Sequence, residues 1–106
     1  MEAALQAIAE PRRREILRIV WRSELPAGEI ARRFEGQVTR PAISQHLRVL
    51  LDAGLVSERR DGARRLYRAR PEGLAELRAY LEDLWDTGLE RLKAAAEMEA
   101  SKGDPR

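Results

Sequence analysis

Apolar positions recur along the chain in blocks spaced by three and four, the period of a helix buried on one side. Residues 2–9 carry Leu5 and Ile8 on one side of a short helix. From Pro11, suited to a helix's first turn, PRRREILRIVWR sets Ile16, Leu17, Ile19, Val20 and Trp21 on a broad apolar face. Pro26 opens a short third helix, PAGEIARRF, with Ala27, Ile30, Ala31 and Phe34 inward and Gly36 at its end. Thr39 then caps a fourth helix over 39–52, with Pro41 in its first turn and Ile43, Leu47 and Leu50 inward. Gly54 stops it, and Leu55 and Val56 return to the core. The third and fourth helices make a helix-turn-helix by pattern.

After residue 56 the period changes. VSERRDGARRLYRA reads as two short strands about an Asp61-Gly62 turn, both of whose residues tolerate positive φ. Val56, Leu66 and Tyr67 anchor this hairpin, and its remaining arginine-rich length is expected to protrude as a wing. Pro71 opens a last helix of about 26 residues, roughly 40 Å long. Leu74, Leu77, Leu81, Leu84, Trp85, Leu89 and Leu92 form its apolar stripe. That is more stripe than a small winged body covers. A second copy of the chain would cover it at least cost, although a helix folded back on its own domain is the simpler alternative. The expected architecture is mainly α with a small β-hairpin, in the order α-α-α-α-β-β-α. Residues 1–100 would form one DNA-binding and dimerisation domain, and 101–106, SKGDPR, a flexible tail.

Composition narrows the chemistry. Cysteine is absent, which removes disulfides and thiolate ligands and fits a reducing cytoplasm. The start, MEAALQAIAEP, lacks a signal-like block, and no apolar run is long enough to span a membrane. The one histidine, His46, sits on the fourth helix and reads as a structural hydrogen bonder. The clustered acids Glu82, Asp83, Asp86 and Glu90 read as a solvated helix face, and no glycine-rich phosphate loop is present. No nucleophile, acid–base pair or metal-ligand spacing stands out, so neither an enzyme nor a metal or cofactor site is expected.

Charge distribution is more telling than the net +2. Residues 37–70 hold eight arginines against three acids, a net of +5; residues 71–100 hold eight acids against three bases, a net of −5. A basic middle suggests a polyanion partner, and arginine's planar fork suits phosphate and guanine edges, although codon bias in a GC-rich genome would also enrich arginine. On the fourth helix, Arg40, Ser44, Gln45 and Arg48 lie opposite the apolar stripe. They fit a major groove, where each base pair shows a distinct donor and acceptor pattern. Arg59, Arg60, Arg64 and Arg65 of the hairpin suit the flanking backbone or minor groove. Arg12, Arg13 and Arg14 suit either phosphate or plain solvation. The alternative function is a winged module that binds another protein through its acidic last helix and has little DNA affinity of its own.

AISQHLRVLLDAGLV followed by RRDGARRLY resembles the ArsR/SmtB family of bacterial winged-helix repressors, and PRRREILRIV and ELPAGEIARRF resemble that family's second and third helices. The resemblance covers about residues 3–95. It implies a homodimer held by the first and last helices, through Leu5 and Ile8 and through Leu81, Leu84, Trp85, Leu89 and Leu92. It implies a repressor on a palindromic site of double-stranded DNA. Base reading would fall to Arg40, Pro41, Ser44 and Gln45, with Thr39 and Arg48 on backbone or base and the wing arginines on flanking DNA. His46 resembles the family's structural histidine. Metal-sensing members carry cysteines in the third helix or histidines and acids in the last. The third helix here has no cysteine and the last no histidine, so metal sensing is not implied. The tail GLAELRAYLEDLWDTGLERLKAAAE resembles the non-metal branch, which implies either constitutive repression or a small-molecule or protein effector.

Overall fold

The computed structural model describes residues 1–103. Five helices and three strands follow in order: α1 (Glu2–Ile8), α2 (Pro11–Arg22), β1 (Leu25–Pro26), α3 (Ala27–Arg32), α4 (Arg40–Asp52), β2 (Val56–Asp61), β3 (Arg64–Ala69) and α5 (Pro71–Gly103). The body is one core beneath a small antiparallel sheet of order β1-β3-β2. Ile16 and Val20 of α2, Ile30 of α3, Ile43, Leu47 and Leu50 of α4, and Leu55 fill its centre, each almost fully buried. These are the positions that the three-four spacing marks as inward.

Two expectations need correction. The sheet has a third strand: Leu25 and Pro26 pair with Tyr67 and Leu66. Pro26 is therefore an edge-strand residue and the N-cap of α3, and the helix itself begins at Ala27. Proline is tolerated at a sheet edge because its missing N–H breaks no ladder bond there. The hairpin turn also lies one residue further on. Asp61 pairs with Arg64, so the two-residue loop is Gly62-Ala63. Gly62 has φ of +64° and no non-glycine residue among the described residues has positive φ, which is the type II′ pattern with glycine first.

α5 leaves the body as a long rod. Its 33 residues run past the expected end, and the molecule measures 76 × 29 × 21 Å. Leu77 is buried and Leu74 packs on the core, but from Arg78 to Ser101 every residue is exposed. The helix thus takes in the first half of the expected 101–106 tail, and residues 104–106 lie outside the described residues. The rod is rooted by close backbone contact. Arg70 N–H donates to the Leu55 carbonyl at 2.8 Å and Arg70 Nη1 to the Gly54 carbonyl at 3.3 Å. A Cβ on Gly73 would overlap that Gly54 carbonyl, so the close approach requires glycine there.

Candidate nucleic-acid interface

α4 is built to hold one face still and leave the other free. Thr39 has extended backbone, and its Oγ1 accepts the Ala42 N–H at 3.3 Å, which satisfies one of the helix's orphan donors. Arg40 and Pro41 form the first turn. With Ile43, Leu47 and Leu50 buried, the opposite face presents Arg40, Pro41, Ser44, Gln45 and Arg48, all exposed. Arg48 Nε lies 3.6 Å from Asp52 Oδ1, whereas Arg40 has no carboxylate within ion-pair distance among the described residues.

Behind α4, Arg13 ties three helices together. Its Nε donates to the Ala7 carbonyl at 2.7 Å and its Nη2 to the Gln6 carbonyl at 3.0 Å. These are carbonyls of the last turn of α1, where a cation is favourable. Its Nη1 reaches His46 Nδ1 of α4 at 3.3 Å. A guanidinium can only donate, so Nδ1 accepts and the imidazole proton sits on Nε2, 3.9 Å from Glu10 Oε2. The same Glu10 oxygen caps α2 by accepting the Arg13 N–H at 3.1 Å. Arg14 Nη1 donates to the Ile8 carbonyl at 2.8 Å. So Arg13 is spent on the scaffold, and His46 is a structural hydrogen bonder as its position suggests. No local signal in the sequence marks this arrangement, because Arg13 and His46 are 33 residues apart.

The wing's four arginines are not equivalent. Arg59 makes a two-pronged contact with Glu24, Nε to Oε2 at 2.8 Å and Nη2 to Oε1 at 2.7 Å. That hydrogen bond holds the Glu24 carboxyl below the usual carboxylate range and raises Arg59. Arg64 lies 3.4 Å from Asp61 and Arg65 3.9 Å from Glu58. Arg60 has no such partner among the described residues. The sheet register puts Arg60 beside Arg65 on the face that carries Tyr67, and Arg59 on the other. Glu24 stands 35 residues from Arg59, so strand alternation alone does not reveal the pair.

The remaining expected contact residues lie on the outer helices. Ala4 and Ala7 bury α1 in the core, leaving Leu5 and Ile8 half-buried at its margin. Leu81, Leu84, Trp85, Leu89 and Leu92 are all exposed on α5, with Trp85 67% exposed. Helical spacing places Trp21 on the core face of α2, but it is 57% exposed and lies beside Leu17 and Leu74 over a shallow apolar cleft. Among the described residues, no three His, Asp or Glu side chains group as metal ligands would, and no helix is long and apolar enough to cross a membrane.

Residues 10–58 match the family model described as bacterial regulatory protein, arsR family. The HTH-type transcriptional regulator Rv2034 of Mycobacterium tuberculosis is 42% identical over 103 residues, 97% of this chain and 92% of that protein. The chain belongs to the ArsR family. An ArsR-like transcriptional regulator from Rhodococcus sp. RHA1 has a similar structure, with 30% identity over 94% of this chain and 90% of that one at a TM-score of 0.83. The homodimeric winged helix-turn-helix DNA-binding domain of Mb0332 from Mycobacterium bovis is 31% identical over 85% and 82% of the two chains, with a TM-score of 0.64. This ArsR-family chain is thus a transcriptional regulator with a winged helix-turn-helix DNA-binding fold, in a family of regulators rather than enzymes. The extra strand β1 and the long α5 belong to that winged architecture.

Proposed function

We propose that this regulator acts in the cytoplasm as a homodimeric repressor that reads a two-fold-symmetric duplex site. α4 enters the major groove, and the wing lies along flanking backbone or minor groove. The observation that carries this reading is the outward face of α4. Arg40, Ser44 and Gln45 stand exposed on a helix whose other face is locked into the core. Arg40, with no acid partner among the described residues, can fork onto a guanine edge, and Ser44 and Gln45 offer donors and acceptors one turn on. Thr39 and Pro41 set the approach, and Arg48 serves backbone or base. On the wing, Arg60 is the first contact, joined by Arg64 and Arg65; Arg59 holds the wing's base through Glu24.

The dimer reading draws on the uncovered stripe of α5, on the half-buried Leu5 and Ile8 of α1, and on the homodimeric state of the Mb0332 domain. The basic outward face argues against a winged module that binds only protein. In binding assays Arg40→Ala is expected to cost about 1–3 kcal/mol on the specific site and to relax preference at one base pair per half-site. Arg60→Ala is expected to weaken all sequences alike. Unchanged sequence preference in Arg40→Ala would remove Arg40 from direct readout.

A further inference from the structure

Between α2 and the loop that follows α3 lies an open cleft of about 550 Å³. Arg12, Arg14, Arg18 and Arg33 surround its floor of Ile19 and Phe34. Four guanidiniums face one carboxylate, Glu15, which Arg18 already holds at 3.0 Å. The others have neutral partners or none. Arg12 Nη1 donates to Gln37 Oε1 at 2.9 Å, and Arg14 to the Ile8 carbonyl. Arg33 has no acid within ion-pair distance among the described residues. The cleft therefore carries net positive charge with unused N–H donors, since each guanidinium offers five.

We infer that this cleft is a phosphate clamp for the DNA backbone beside the recognition helix. The inference rests on the DNA-reading proposal above. Gln37, on the cleft wall, stands two residues before Thr39, and two residues of chain span at most about 7 Å. The major groove is about 12 Å wide. With the first turn of α4 inside it, the Gln37 wall falls at the groove's rim, where the phosphates run. The wing is reached from the strand that follows α4 and the cleft from the loop that precedes it, so the two grip backbone from both ends of the helix. A backbone phosphate needs no enclosure, and this cleft is open to solvent, unlike the pockets that bury small ligands.

The test is the salt dependence of binding by full-length wild type and an Arg12→Ala/Arg33→Ala double variant, on a selected site and on random duplex. Arg12 is half-buried and Arg33 exposed, and neither belongs to the core, so the helical circular dichroism of the variant should match wild type. The expected result is weaker binding to every sequence, about tenfold at physiological salt, with intact preference and a log–log salt slope lower by about two. The lysine pair at the same positions should recover most of the loss, because a point charge still serves a phosphate. An unchanged slope in the alanine pair would overturn the clamp while leaving groove reading by Arg40 intact. If the slope is unchanged and the double variant loses only thermal stabilisation by pyrophosphate or a nucleotide, the cleft takes a free phosphorylated ligand, and the clamp is equally overturned. A wild type that binds no duplex would instead defeat the DNA-reading proposal itself.

Discussion

Tyr67 joins the wing to the body, and its surroundings give it a measurable signature. Burial, foremost, pushes its phenol above the ordinary value, and the carboxylate of Glu58, its cross-strand partner, adds to the shift. The folded state therefore holds this proton more tightly than the unfolded chain does. Its contribution to stability is complete below about pH 10 and is lost as pH rises through the higher folded value. Denaturant midpoints should fall faster above about pH 10 in wild type than in Tyr67→Phe, and equal slopes would contradict the assignment. Placements settled by local pattern were legible in the sequence. The outward set Arg40, Ser44, Gln45 and Arg48 follows from helical spacing alone, as does Thr39 as a cap. Arg13 and Arg59 were not legible. Each satisfies a partner far along the chain, His46 and Glu24, and periodicity carries no information about which distant groups meet.

Among the elements, α5 depends most on a single close approach. Gly73 packs against the Gly54 carbonyl, with Arg70 bonded to the same oxygen. Gly73→Ala would gain helix propensity in the unstrained case, but here the helix must shift to make room. We expect net destabilisation of about 1–3 kcal/mol in chemical unfolding. A neutral or stabilising result would mean that the root of α5 yields more readily than this packing implies. Helices α2 to α5 were readable because each has a proline or threonine at its start and an apolar stripe at helical spacing, buried in α2, α3 and α4 and exposed along most of α5. β1 was not, since two residues are too short to show a period and Pro26 equally suits a helix start. The hairpin was readable but its turn was displaced by one residue. Asp-Gly favours a type I′ turn in isolation, yet the observed register makes Gly62 the first central residue, with Ala63 at negative φ.

At the scale of the molecule, a compact winged body carries a rod whose apolar stripe it cannot cover. The stripe was legible, but the length of the rod was not, because its last turns are polar and weakly patterned. Trp85 makes no part of the buried core, so Trp85→Glu should leave the helical spectrum and body intact while shifting the protein to monomer in sedimentation. A dimer that persists would place the interface elsewhere. In the proposed dimer, two copies of α4 would fix the spacing of what they read. The decisive measurement is selection of bound duplexes from a random pool, followed by footprinting of the enriched sequence. A two-fold-symmetric motif with half-sites about one helical turn apart, protected on both halves, is the predicted result. Enrichment of a single asymmetric site, or of nothing at all, would contradict a paired-helix reader of DNA.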